Sequence, residues 1–139
     1  MAKTKAASLD TNTLLRLVLG DLPEQIGLVE DLIKKSPVLH VADVALIEMV
    51  FVLEKIYSFS RADVVNSVQA IIRHPKINAN RRLFERVLPD YLEKPKLSIV
   101  DCALVHYATL TDATPLFTFD KALASAYPAS ATLLSSPAA

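Results

Sequence analysis

Four carboxylates of this sequence lie inside apolar segments or directly after them. Glu48 is the one polar residue of "VALIEMVFVL", residues 44–53. Asp10 follows "AASL", Asp101 interrupts "SIVDCALV" and Asp120 ends "PLFTFD". Because an unpaired buried charge costs several kcal/mol, a buried carboxylate must be protonated, paired with a cationic side chain or bound to a metal ion.

The pattern of donors favours a metal ion held by oxygen. Converging carboxylates repel one another and raise each other's pKa values unless a cation lies among them. Oxygen ligands suit Mg²⁺ or Mn²⁺, whereas the three histidines are too scattered for a zinc site. A metal held by carboxylates can activate water and neutralise a phosphate, so the acids point to hydrolysis of a phosphodiester or phosphomonoester. With only 2 glycines, a glycine-rich phosphate loop is excluded.

Each acid also has a purely structural interpretation. Asp10 and Asp120 could cap the helices that follow them, and Asp101 has capping-box spacing to Ser98. Glu48 lies in the middle of a helix, where the structural alternative is a salt bridge to a buried arginine. The sequence leaves these alternatives open.

The elements that must position the acids alternate between short strands and helices. The predicted strands are "AASL", "PVLHV", "KINAN", "PLFTF" (buried) and "ATLL". The predicted helices are "NTLLRLVLG" ending at Gly20, "DLPEQIGLVEDLIKK" with a capping-box-like start at Asp21 and Glu24, the segment around Glu48, "SRADVVNSVQAIIRH", "NRRLFERVLPDYLEK" kinked or split at Pro89, "LSIVDCALVHYATL" and "DKALASAY". This alternation predicts a parallel α/β sheet with helices on both faces. Acids at the carboxyl ends of its strands would meet in one crevice.

Length and composition predict one compact domain over residues 1–139, with a frayed tail from about residue 135. A hydrophobic content of 52% with 22% charged residues excludes a disordered chain. The single cysteine rules out an intramolecular disulfide and suits a reducing compartment. The first ten residues lack an apolar signal region, and no apolar run reaches the length of a membrane span. We therefore expect a cytoplasmic protein that does not enter a membrane.

Charge is balanced overall and uneven along the chain. The chain has 15 Lys+Arg and 15 Asp+Glu, but residues 73–96 carry seven basic residues against three acids. Local cations are enough for contacts with phosphates. This segment makes Arg73, Lys76, Arg81 and Arg82 candidates for contact with a nucleic acid. The alternative is that these side chains form only the solvated face of a helix.

The order of the motifs resembles one known family across nearly the whole chain. "LDTNTLLRLVLGDLPEQ", "VALIEMVFVLEKIYSFSRADV", "LSIVDCALVHYA" and "PLFTFDKALA" follow one another as in the PIN-domain family. The sequence is most similar to the toxin ribonucleases of VapBC toxin–antitoxin pairs. The resemblance implies a three-layer α/β/α fold with a short-stranded, mainly parallel central sheet, and a Mg²⁺- or Mn²⁺-dependent endoribonuclease.

Carried over by position, the resemblance makes Asp10, Glu48, Asp101 and Asp120 the catalytic, metal-binding acids, with Asn12 and Thr118 in support. It further implies RNA as substrate, a homodimer and an inhibitory antitoxin. Ser98 departs from the family pattern, because many relatives carry a further acid there.

Two other functions are compatible with parts of the pattern. The less hydrophobic first strand and the lack of a basic field are compatible with a catalytically inactive PIN-like module that binds RNA or protein. A phosphatase or receiver domain fits less well, because Asn12 stands where a phosphatase needs a second aspartate.

Overall fold

The computed structural model describes residues 6–136, which contain seven helices and five strands. The chain divides into two compact units, one ending at Arg81 and the other beginning at Arg82. Every strand pairing within the described residues is parallel, which confirms the predicted α/β class with short parallel strands. Of the tail predicted to fray, residues 137–139 lie outside the described residues. The assignment of residues 1–139 to one domain stays a prediction.

The first unit is a three-stranded parallel sheet connected by pairs of helices. Its elements are β1 (Ala7–Ser8), α1 (Thr11–Leu19), α2 (Pro23–Lys35), β2 (Leu39–His40), α3 (Asp43–Lys55), α4 (Arg61–Ile72) and β3 (Ile77–Asn78). The strand order is β1-β2-β3, with Ala7 opposite Leu39 and Leu39 opposite Ile77. Helix α1 packs on α2 and α3, and α3 packs on α4. Apolar residues at helical spacing supply the buried side chains of these helices.

Local signals fix several helix ends in this unit. Helix α1 ends at Gly20, whose φ of 61° is the left-handed conformation typical of a helix C-terminus. Ser60 caps α4 by accepting a hydrogen bond from the Asp63 amide. The predicted capping box of α2 is wrong, because the helix starts at Pro23 without a side-chain cap. Asp21 instead accepts a 2.8 Å hydrogen bond from Arg16 in the last turn of α1.

The second unit combines three helices with a two-stranded parallel sheet. Its elements are α5 (Arg81–Glu93), whose first residue still belongs to the first unit, α6 (Ile99–Leu110), β4 (Leu116–Thr118), α7 (Lys121–Ala126) and β5 (Ala131–Leu133). Strand β4 pairs with β5, with Phe117 opposite Thr132. Helices α6 and α7 both pack on β4. The buried side chains of α5 and α6 include Phe84, Tyr91 and Val105.

Two expectations about this unit are wrong. Of the two predicted effects of Pro89, a kink or a split, the split is wrong, because α5 continues through Pro89, which lies on the exposed side while Leu88 and Tyr91 are buried. Burial of such side chains offsets the roughly 3 kcal/mol that an interior proline costs. Strand β4 is not buried: Phe117 is 60% exposed, because only alternate residues of a strand face the interior.

Candidate functional site

Asp10 lies two residues after β1 and caps helix α1. Its Oδ1 accepts hydrogen bonds from the Thr13 amide, at 2.9 Å, and from the Thr13 hydroxyl, at 2.7 Å. The amide bond, followed by the hydroxyl bond, lowers the pKa of Asp10 below its usual range. The structure thus confirms the capping alternative, and it keeps the exposed carboxylate ionised at neutral pH.

Glu48 is exposed, so the expectation of a buried carboxylate on α3 is wrong. The helix buries a stripe that includes Leu46, Met49 and Leu53. At about 100° per residue, Glu48 lies about 200° from Leu46, on the opposite side. Val44, one turn earlier, is 68% exposed. Helix α3 carries apolar residues on every face. The sequence alone therefore does not show which face packs against the rest of the protein.

A contact between α1 and α3 brings the surroundings of Asp10 and Glu48 together. The hydroxyl of Thr11, next to Asp10, donates a long 3.4 Å hydrogen bond to the carbonyl of Ala45. Ala45 lies three residues before Glu48, on the neighbouring turn of the helix. The start of α1 therefore lies beside the turn of α3 that precedes Glu48.

Asp101 forms a complete capping box at the start of α6. Its Oδ2 accepts a 3.0 Å hydrogen bond from the Ser98 amide, and its own amide donates a 3.1 Å bond to Ser98 Oγ. The reciprocal bonds fix the rotamer of this half-buried aspartate. The capping alternative is confirmed here too, and the serine that departs from the family pattern has a structural role.

Asp120 caps α7, and Thr118 supports it. Asp120 Oδ1 accepts a 3.1 Å hydrogen bond from the Leu123 amide. The Asp120 amide donates a 3.0 Å bond to the Thr118 hydroxyl, which holds the end of β4 against the start of the helix. Asn12, the other residue expected in support, is exposed in the first turn of α1.

The oxygen donors of the candidate acids are of the type that a hard divalent cation prefers, but the described residues do not assemble three of them into one group. Capping uses one oxygen of each aspartate: Oδ1 of Asp10, Oδ2 of Asp101 and Oδ1 of Asp120. A carboxylate offers about four lone-pair directions, so each retains capacity for a metal. Among all the described residues, no group of three or more His, Cys, Asp or Glu side chains could hold a metal, which speaks against the expectation that the four acids meet in one crevice. Each unit carries two of the candidate acids, and Mg²⁺ often binds only one or two carboxylates beside its waters.

The four basic candidates differ in what their side chains contact. Lys76 Nζ donates hydrogen bonds of 2.7 and 3.2 Å to the Ile33 and Lys34 carbonyls at the end of α2. Arg81 donates to the Ile72 and His74 carbonyls at the end of α4. Both cations thereby satisfy carbonyls at a helix C-terminus. Arg73 and Arg82 are exposed.

Two features of the second unit were not predicted. The first is a cavity of about 600 Å³ lined by Lys94, Lys96 and Lys121. Lys94 and Lys96 belong to the basic segment, but Lys121 is distant in sequence, and no spacing rule connects it to the other two. The sequence signal that could have indicated part of this cavity is the pair of lysines, Lys94 and Lys96, in "EKPK".

The second feature is a polar network that joins α5, α6 and the end of α7. Asp90 Oδ2 accepts hydrogen bonds from the Tyr127 hydroxyl, at 2.5 Å, and from His106 Nε2, at 2.6 Å. Although burial raises the pKa of Asp90, these bonds and the charges of His106 and Lys94 outweigh it and lower that pKa. Burial and the bond to Asp90 raise the pKa of the Tyr127 hydroxyl far above its usual range. Asp90, His106 and Tyr127 lie far apart in the sequence, and their residue types alone do not predict this contact.

Most of the chain matches the model of one known protein family. A family model described as the PIN domain matches residues 7–127, which is most of the chain. The chain belongs to the PIN-domain family. The match confirms the expected three-layer α/β/α PIN-like fold, a nuclease-type fold, and the matched stretch contains all four candidate acids. No curated protein matches the chain significantly. None of the helices within residues 6–136 is long and apolar enough to cross a membrane.

Proposed function

We propose that this PIN domain is a metal-dependent endoribonuclease that hydrolyses RNA phosphodiester bonds, with Asp10, Glu48, Asp101 and Asp120 as its metal-binding acids. The family match over residues 7–127 carries the proposal, because the family has a nuclease-type fold and the matched residues include all four acids. The ionised state of Asp10 supports it further, since a carboxylate must be charged to bind a divalent cation.

The chain's own residues would position and charge the site. Thr13 lowers the pKa of Asp10 by its hydrogen bonds, Ser98 fixes the rotamer of Asp101, and Thr118 orients the backbone at Asp120. Mg²⁺ or Mn²⁺, when bound, would supply Lewis acidity for phosphodiester hydrolysis. Capping bonds hold three of the acids before a metal arrives, which reduces the reorganisation that binding requires.

We further propose that the protein is the toxin of a toxin–antitoxin pair, acts in the cytoplasm and forms a homodimer. Cys102 is the single cysteine of the sequence, so no intramolecular disulfide can form, which supports a reducing compartment. Exposed apolar side chains on both units, such as Leu28 and Phe119, support binding of an antitoxin or a second copy. Leu14, Leu15 and Val29 of the same unit as Leu28 are buried within the chain and do not contribute to such a surface.

RNA cleavage by an Asp10→Asn variant tests the nuclease proposal. Asparagine caps a helix about as well as aspartate, so the variant should fold normally while losing the metal-binding charge. We expect at least a roughly 100-fold loss of cleavage with Mg²⁺ or Mn²⁺, and no cleavage by the wild type in EDTA.

Asp31→Asn is the matched control, because Asp31 is an exposed aspartate of α2 outside the candidate set. It should cleave like the wild type. Equal cleavage by the Asp10 variant, or no cleavage by the wild type across varied RNA substrates, would contradict the proposal.

The second candidate function is a PIN-like module without catalysis that binds RNA or protein. It is favoured by the capping bonds, because helix capping alone accounts for Asp10, Asp101 and Asp120. Calorimetry separates the two functions. A nuclease should bind Mn²⁺, and Asp10→Asn and Asp101→Asn should each weaken that binding. A module without catalysis should show no Mn²⁺ binding that depends on these two residues.

A further inference from the structure

The lysine-lined cavity of the second unit lies between two chain segments. Lys94 and Lys96 belong to the connection between α5 and α6, and Lys121 begins α7. The apolar part of the lining includes Pro95 and Leu97, and Ser125 adds a hydroxyl. The cavity volume of about 600 Å³ is in the range of sites that bind small molecules and is larger than a single phosphate requires.

The charge of this lining is of one sign. Three lysines and no acid line the cavity among the described residues, although the chain as a whole has no net charge. Like charges in a concave surface raise the local potential and attract anions. Asp120, the acid that precedes Lys121, turns one oxygen to the Leu123 amide and does not line the cavity.

The structure fixes the position of one lysine and leaves two exposed. Lys94 Nζ lies 5.6 Å from the centre of the Tyr127 ring, a cation–π contact that ties it to the end of α7. Lys96 and Lys121 are exposed at the cavity. The exposed pair can therefore bind a ligand without giving up packing.

The cavity adjoins two candidate acids along the chain. Leu97 directly precedes Ser98, the capping partner of Asp101. Lys121 directly follows Asp120. A ligand held here is thus bound by Lys121, which is next to Asp120, and by a segment that leads directly into the capping partner of Asp101.

We propose that this cavity binds consecutive backbone phosphates of the RNA substrate. Several cations suit a ligand with one negative charge per nucleotide, and the hydroxyl of Ser125 can donate a hydrogen bond to a phosphate oxygen. The inference rests on the proposed ribonuclease function. It assigns a second RNA-binding surface to the protein, separate from the four candidate acids.

Binding of a fluorescent single-stranded RNA of about ten nucleotides, measured by anisotropy in EDTA over a series of NaCl concentrations, tests the inference. EDTA removes divalent cations, so the assay reports binding without cleavage. The variant is Lys96→Gln with Lys121→Gln, because both side chains are exposed and glutamine preserves their size. Lys94 is left intact because of its contact with Tyr127.

The double variant should bind RNA at least roughly 10-fold more weakly at low salt, and the slope of log K against log salt should fall by about 1.4, or 0.7 per lost phosphate contact. Lys34→Gln with Lys35→Gln, exposed lysines at the end of α2, is the control and should match the wild type. Equal binding by wild type and double variant, with an unchanged salt slope, would overturn the inference. Stronger competition by polyglutamate than by unlabelled RNA of equal charge would also overturn it, since the ligand would then be an acidic peptide.

Failure of this inference and failure of the proposed function give different results. RNA binding that depends on the lysines, without cleavage after Mg²⁺ is added, would support the cavity and contradict the nuclease. Cleavage that depends on Asp10, with RNA binding unaffected by the lysine variants, would support the nuclease and contradict the cavity.

Discussion

Asp90 shows how one carboxylate oxygen can join three helices. Its Oδ2 accepts from both Tyr127 and His106, whose rings also meet edge to face at 5.8 Å between centroids. A carboxylate without a proton can only accept, so His106 Nε2 carries the hydrogen in this contact. The side chain of Asp90 is 23% exposed, and such a group is more costly to leave without partners than a fully solvated one.

The lowered pKa of Asp90 predicts how stability depends on pH. The folded protein binds the carboxyl proton of Asp90 less tightly than the unfolded chain does. Ionised Asp90 therefore contributes to the free energy of unfolding above the unfolded pKa, about 3.9. This contribution is lost as the pH falls through the lower folded value. The free energy of unfolding, measured with urea at pH 7, 5, 4 and 3, should therefore decrease with falling pH for the wild type. The decrease should be smaller for Asp90→Asn.

Asp31→Asn serves as the control for this measurement and should decline like the wild type. Asp10, whose pKa is also lowered, remains in all three proteins, so the difference isolates Asp90. Parallel pH curves for the wild type and Asp90→Asn would contradict the assigned role.

At the scale of elements, the chain's two glycines predict opposite effects of the same substitution. Gly20 ends α1 with φ at 61°, where a side chain is strained, so Gly20→Ala should destabilise by about 1 kcal/mol. Gly27 lies inside α2 with open space where a Cβ would stand, so Gly27→Ala should stabilise by roughly 0.5–1 kcal/mol. Free energies of unfolding from urea titration measure both, and each variant controls for the other. A shift of the same sign in both would refute this account of the helix end.

Elements with local signals were predictable from the sequence. The end of α1 at Gly20 and the caps at Ser60 and Ser98 follow from residue type and short spacing. The wrong expectations concern side-chain pairing and burial, which capping spacing and residue type do not determine. Asp21 has capping spacing to Glu24 but pairs with Arg16, and Pro89 stays within α5, where the neighbouring Leu88 is buried.

The candidate site was predictable only in part. Motif order identified the family, and each aspartate was correctly assigned to the start of a helix as one of its two interpretations. Exposure of Glu48 was missed, because a helix that is apolar all round does not reveal which stripe packs inward. The lysine cavity was missed because tertiary structure, not spacing, brings Lys121 to Lys96.

At the scale of the whole molecule, the division into two units matters for how the chain unfolds. Each unit has its own parallel sheet, with strand order β1-β2-β3 in the first and β4-β5 in the second. Spectroscopic probes of helix content average over both. A probe confined to one unit is needed to learn whether they unfold together.

The sole cysteine provides that probe. Cys102 lies on α6 with its side chain fully buried, so a thiol reagent reaches it only when the second unit opens. We expect maleimide to react about 10³-fold more slowly with the native protein than with the urea-unfolded chain. Comparable rates in both would contradict the burial. Matching midpoints for labelling and helix loss along a urea series would show one cooperative event, whereas separate midpoints would make the two halves of this nuclease fold distinct folding units.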